Sequence, residues 1–191
     1  RRAGHSRRRV YVIAICFSRR LWPDFKTLTQ YDIMTDQRIV ERIVQAIASV
    51  HTRTEVLRTT VEILARDCEH FTWTGFYLVD GDELVVGPYI GKPTPHARIK
   101  LGEGICGAAA TAKETVIIDD VNADPRYLAC SIETKSEIVV PLMDGARCIG
   151  EIDIDSDRLS AFTATDAHML EDVAKAVVTR LSQLSSKAGS I

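Results

Sequence analysis

Apolar residues recur at helical spacing from Thr35 onward, with Ile39, Ile43, Ile47 and Val50 on one face and Val40 and Val44 widening it. The pattern predicts an amphipathic helix opening at Thr35-Asp36. A second helix is predicted from Thr54, burying Leu57, Val61, Leu64 and Cys68. The period then drops to two. Trp73 to Val79 alternates and is rich in aromatic and β-branched residues, Asp80-Gly81-Asp82 supplies a turn, and Glu83 to Gly87 returns as the partner strand. From Gly91 to Gly107, two prolines and four glycines predict a loop, followed by a short helix over Ala108 to Lys113 and a strand over Thr115 to Ile118. The irregular stretch 119–136 is long for a connection inside a compact domain unless it has a task. Glu137 to Leu142 and Arg147 to Asp155 form an antiparallel pair across Asp144-Gly145. The last helix is capped by Thr163 with Asp166 three residues on, and buries Leu170, Val173, Ala174, Val177 and Leu181. Ser182 to Ile191 is expected to fray.

This order of elements predicts an α+β fold, a central antiparallel sheet with helices packed mainly on one face. Charge adds a boundary to the picture. The 191 residues sum to −2, but residues 1–33 hold eight Lys/Arg against Asp24 and Asp32, a balance of +6 that leaves −8 for the rest. The expected organisation is a basic extension over 1–33, outside the fold and ending just before the first methionine, Met34, then a domain over 34–184 and a tail over 185–191. So acidic a body gives no electrostatic footprint for nucleic acid. The apolar run Val10 to Phe17 is too short to span a bilayer. With neither a membrane span nor an evident secretory signal, a cytoplasmic protein is expected.

Five cysteines, Cys16, Cys68, Cys106, Cys130 and Cys148, include no C-x-x-C pair and no His at ligand spacing, so no metal and no bound cofactor are expected. In a reducing compartment a cysteine is structural or reactive rather than a permanent staple. Cys68 shares a core helix face, and strand alternation puts Cys148 with Ile152 and Ile154, so both read as structural. Cys106 and Cys130 lie in the irregular segments and on no recognisable core face. Gly102-Glu-Gly-Ile-Cys-Gly107 matches the dinucleotide pattern G-x-G-x-x-G, but it follows no buried parallel strand and opens no crossover helix. Its glycines instead put Cys106 near a helix N-terminus, where exposed N–H groups favour a thiolate.

Alternation also puts Glu151, Asp153 and Asp155 on one side of their strand. A solvated face is the default for such residues, although crowded carboxylates raise one another's pKa and one could stay protonated as a donor. Glu137 opens the partner strand and joins the group if the register allows. Trp73 and Tyr77, four apart in a strand, project from one face and either pack a core or form a cage for a thioether or sulfoxide.

Trp73-Thr-Gly-Phe-Tyr77, Leu101-Gly-Glu-Gly-Ile-Cys-Gly107, Asp120-Val-Asn122, Leu128-Ala-Cys130, Ser136-Glu-Ile-Val-Val-Pro141 and Gly150-Glu-Ile-Asp-Ile-Asp155 come in one order across 71–181. Together they resemble the free methionine-(R)-sulfoxide reductase family of GAF domains. The resemblance implies a GAF-like sheet and a cytoplasmic homodimer that reduces free methionine (R)-sulfoxide. It casts Cys130 as the attacking thiol, with Glu137, Asp153 and Asp155 on the substrate's polar end and sulfoxide oxygen, and Trp73 and Tyr77 around its methyl group. A Cys130 sulfenic acid would then be resolved by Cys106, and the disulfide reopened by thioredoxin or another dithiol. Two positions depart from the family. The loop Pro93-Thr-Pro-His-Ala-Arg98 lacks the usual third cysteine, and Ser131 replaces an aspartate after Cys130. The alternative is a non-catalytic GAF sensor that binds a small ligand or responds to oxidation.

Overall fold

The computed structural model describes residues 30–128 and 131–188, so Cys130 lies outside the described residues. The chain runs through helices α1 (Gln30–Ala48) and α2 (Arg53–Asp67), then strands β1 (Trp73–Asp80), β2 (Glu83–Ile90) and β3 (Arg98–Lys100). Helix α3 (Gly104–Ala112) and strand β4 (Val116–Ile118) precede the hairpin β5 (Ser136–Asp144) and β6 (Arg147–Ser156), and α4 (Ala164–Ala188) follows. The strands form one six-stranded sheet in the order β3-β2-β1-β6-β5-β4, with every neighbouring pair antiparallel. Among the described residues no helix is long and apolar enough to cross a membrane.

The sheet divides two cores. On one face α1, α2 and α4 pack over Phe76, Ile138, Val140, Ile152 and Ile154, through Ile43, Leu64, Leu170 and Val177 among others. Burying such a side chain contributes about 1.5–3 kcal/mol, and this larger cluster holds most of the apolar residues. On the other face α3 alone lies over the sheet, bringing Ile105, Cys106, Ala109 and Ala110 against Trp73, Tyr77 and Val139. The expected arrangement, helices mainly on one face, is what the structure has.

Local chemistry explains the helix starts. Thr52 accepts from the Glu55 N–H while the Glu55 carboxylate takes the Thr52 N–H, a reciprocal cap on α2. At α4, Thr163 and Asp166 do the same, the Thr163 N–H reaching Asp166 Oδ2 at 2.8 Å. Differences from the sequence pattern have identifiable causes. Helix α1 is already formed at Gln30, ahead of Thr35, and residues 30–34 hold neither Pro nor Gly to stop it. Val44 is 45% exposed and belongs to the outer side of α1. Helix α3 takes in Gly104 to Gly107 as well as the alanines. Helix α4 runs on to Ala188, and the hydroxyls of Ser182 and Ser185 hydrogen-bond back to the Val178 and Leu181 carbonyls rather than unwinding it.

Cys148 needs a correction. Pairing steps from Leu142↔Gly150 to Met143↔Cys148, leaving Ile149 as the extra residue of a β-bulge. One added residue inverts the alternation beyond it. Ile149 therefore packs on the helix-covered core, while Cys148 turns to the α3 side rather than sharing a face with Ile152 and Ile154.

Candidate functional site

The site is a patch of the α3-covered face where three strands set their registers. Trp73 lies opposite Asp155, Gly75 opposite Asp153 and Tyr77 opposite Glu151. On the other side of β6, Glu137 pairs with Asp155 and Val139 with Asp153. Facing residues in an antiparallel pair share a side, so Glu137, Glu151, Asp153 and Asp155 converge. The register thus carries Glu137 into the acidic group. None of the four is exposed, because α3 and the loops after β2 and before β5 cover them. Glu151 is 0% exposed, and Glu137, Asp153 and Asp155 are 4–5% exposed.

Cys106, in the first turn of α3, points into this patch. Its Sγ is 3.6 Å from Glu137 Oε1. The Cys106 sulfur and one oxygen each of Glu137 and Asp153 all lie within 4.8 Å of one another. That donor set, one soft and two hard atoms, is geometrically able to hold a cation; among the described residues it is the group with that property.

Burial dominates the electrostatics. It pushes the Glu137 carboxyl well above the ordinary range, and repulsion from Asp153 and Asp155 adds to the rise while the Cys106 sulfur offsets part of it. Glu151 and Asp153 are driven up by burial and then by Asp153 and Asp155 respectively. Asp155 rises to about 7 through burial, with a hydrogen bond from Thr134 working against the rise. Both oxygens of Glu151 and Oδ1 of Asp153 lack a partner of good hydrogen-bond geometry. A buried carboxylate without cation or donor is costly, so protons are the natural means of neutralising these groups.

The aromatic pair forms the wall. Trp73 and Tyr77 stack with ring centroids 6.2 Å apart, and Tyr89 also stacks on Trp73, at 5.2 Å. Their polar atoms hold the loop after β2: Trp73 Nε1 donates to the Lys92 carbonyl at 3.0 Å and the Tyr77 hydroxyl to the His96 carbonyl at 2.8 Å. Gly75 makes room for the indole. A Cβ there would sit 2.5 Å from Trp73 Cη2 and 2.6 Å from Tyr89 Cβ. Beside the wall opens a cavity of about 230 Å³ lined by Thr72, Trp73, Lys92, Thr94, Thr134 and Asp155, among others.

Five of the residues singled out from the sequence, Trp73, Tyr77, Glu137, Asp153 and Asp155, thus occupy one patch with Cys106. Cys130 lies outside the described residues. Sequence reasoning passed over Glu151, which alternation placed with the acids but nothing marked as buried. It also passed over Gly75 and Thr134, whose parts depend on register. The G-x-G-x-x-G stretch leads from the short antiparallel strand β3 into nine-residue α3, a context that differs from a dinucleotide crossover.

A six-stranded antiparallel sheet with three helices on one side and a short helix over a pocket on the other is the GAF architecture, and residues 52–181 match the GAF domain model; the chain belongs to the GAF domain family. Within it, the chain is 43% identical over 109 residues to a free methionine-R-sulfoxide reductase of Saccharomyces cerevisiae, spanning 55% of this chain and 60% of that protein. It is 37% identical over 117 residues to the free methionine-R-sulfoxide reductase of Escherichia coli, spanning 61% and 70%. The X-ray structure of free methionine-R-sulfoxide reductase from Neisseria meningitidis in complex with its substrate superposes with a TM-score of 0.78 at 36% identity, covering 85% of this chain and 96% of that one.

Proposed function

We propose that the chain reduces free methionine (R)-sulfoxide to methionine at the expense of a dithiol. The observation that carries this is a sulfur atom, Cys106 Sγ, set among four buried carboxyl groups of raised pKa beside a Trp73–Tyr77 wall. Likeness to reductases of that name supports it. Sulfoxide reduction needs a sulfur nucleophile and a proton for the oxygen, and carboxyls held above their ordinary pKa can still give that proton towards neutral pH.

In this reading the Cys130 thiolate attacks the sulfoxide sulfur while Glu137 or Asp153 protonates the oxygen. Oxygen passes to Cys130, methionine leaves, and Cys130 becomes a sulfenic acid. The Cys106 thiol then attacks the Cys130 sulfur, its proton leaves with the hydroxyl as water, and a disulfide forms. Thioredoxin or another dithiol reduces the disulfide and restores both thiols. With no cysteine in the loop 93–98, Cys106 is the resolving thiol. Trp73 and Tyr77 enclose the methyl group, and the working form is a cytoplasmic homodimer.

The test supplies each sulfoxide epimer with dithiothreitol or a thioredoxin system. Only the (R) epimer should turn over, and Cys130→Ser should abolish turnover with either reductant. Cys106→Ser should impair the thioredoxin-supported reaction more than the dithiothreitol-supported one. Equal rates in Cys130→Ser and the parent protein would remove Cys130 as the nucleophile.

A further inference from the structure

In the proposed reaction Cys106 acts only after the sulfenic acid has formed; until then its thiol lies idle against buried acids. Its Sγ is 3.6 Å from Glu137 Oε1, and both atoms lie within 4.8 Å of an Asp153 oxygen. Glu137 and Asp153 are buried. A further observation points to a missing partner, since Asp153 Oδ1 has no exposure to solvent and no hydrogen-bond donor. The three donors come from α3, β5 and β6, so no local spacing in the sequence marks them. The expectation of no metal rested on such spacing.

Donor spacing and donor type together select the cation. Four-coordinate zinc bonds thiolate sulfur at about 2.3 Å and carboxylate oxygen at about 2.0–2.2 Å, and at the tetrahedral angle these lengths set sulfur and oxygen about 3.6 Å apart. The Cys106–Glu137 edge already has that length. Turning the Asp153 carboxyl inward by no more than about 1.5 Å closes the other two edges. Magnesium and calcium take six or more oxygen donors, whereas zinc accepts a mixed sulfur and oxygen set. Three protein donors leave the fourth position to water.

We infer that the reduced chain binds one zinc ion through Cys106 Sγ, Glu137 and Asp153, and that the ion is a reversible inhibitor. The binding stands on the geometry alone; the inhibition rests on the proposed reductase function. On binding, the thiol and any protonated carboxyl release their protons to solvent, and no electron moves. The ion occupies Glu137 and Asp153, the groups given the task of protonating the sulfoxide oxygen, and Cys106, the resolving thiol. Zinc and methionine sulfoxide therefore exclude one another. Oxidation of Cys106 removes the soft donor, so the ion is held only while that thiol is reduced.

The experiment takes the whole chain, reduced with a phosphine and then freed of reductant and metal without oxygen, and titrates it with Co2+ as a coloured substitute for zinc. One equivalent of Co2+ should raise a sulfur-to-cobalt charge-transfer band, and one equivalent of Zn2+ should abolish it. The band should be missing in Cys106→Ser, persist in Cys68→Ala and Cys148→Ala, and require about tenfold more Co2+ in Glu137→Gln and Asp153→Asn. In the unaltered chain, zinc should also protect Cys106 from alkylation, read by peptide mass, which keeps the test independent of how the Cys106→Ser chain folds. No band at one equivalent, a band that survives Cys106→Ser, carboxyl variants that bind like the parent, or equal alkylation with and without zinc would each overturn the site. Inhibition is read in a single turnover of methionine (R)-sulfoxide with no added reductant. One equivalent of zinc should cut methionine formation about tenfold or more, and a chelator should restore it. Undiminished formation with zinc bound overturns the inhibition. No methionine from the metal-free chain overturns the reductase reading instead, and the cobalt and alkylation results then decide the zinc site by themselves.

Discussion

Asp155 is held in the fold at a cost that depends on pH, and that cost can be measured. Its carboxyl rises from 3.8 to about 7, chiefly by burial. A carboxyl whose pKa is higher folded than unfolded binds its proton more tightly in the native state. Its contribution therefore favours folding fully below about pH 4 and is lost as the pH climbs through about 7. The rise corresponds to about 4 kcal/mol between those limits at 1.36 kcal/mol for each tenfold change in proton affinity. Asp155→Asn keeps the size and an acceptor for Thr134 while removing the charge. Urea denaturation from pH 4 to pH 8.5 should show the parent protein losing stability across that range and Asp155→Asn losing less, with a difference at pH 8.5 of up to about 4 kcal/mol in favour of the variant. Glu137, Glu151 and Asp153 add slopes of the same sign to both curves, so the parent curve should be the steeper of the two between about pH 4 and about pH 7. Parallel curves would refute the claim that burial holds the Asp155 carboxyl above its ordinary range.

Gly75→Ala should destabilise the protein by about 1–3 kcal/mol and change the Trp73 emission, since the added methyl meets Trp73 and Tyr89 within 2.6 Å; an unaltered spectrum with unaltered thermal unfolding would contradict the packing. Thr52→Ala removes half of the reciprocal cap on α2 and should cost about 1 kcal/mol in chemical denaturation. Replacing Glu151, whose carboxyl is fully buried and raised by burial, with Gln should flatten part of the parent's pH slope. Curves of equal slope across the whole range would show that burial does not raise the Glu151 carboxyl.

Much of the architecture was legible because its signals are local. The Ile39, Ile43, Ile47 stripe, the alternation from Trp73 to Val79 and the Asp144-Gly145 turn each fix an element within a few residues. The pairing of Trp73 with Tyr77 followed from strand parity alone. What escaped depends on distant partners. Glu151, Asp153 and Asp155 alternate like a solvent-facing edge, and α3, whose first turn begins at Gly104, together with two distant loops turns that edge into an interior. Cys148 went astray for a different reason, since parity counts residues and a bulge at Ile149 adds one that no composition marks. Gly75 reads as a weak point in a strand until register sets it opposite Asp153 beneath an indole.

The sheet is a partition as well as a scaffold. Behind it, three helices close over the larger core. In front, a single nine-residue helix and two loops cover the acids. Amides of α3 should therefore exchange with solvent through excursions that leave α1, α2 and α4 protected, giving two separate families of protection factors in one domain. Such a division lets the pocket breathe for each ligand without drawing on the stability of the whole, and lets sequence drift in front of the sheet proceed at little risk to the fold behind it.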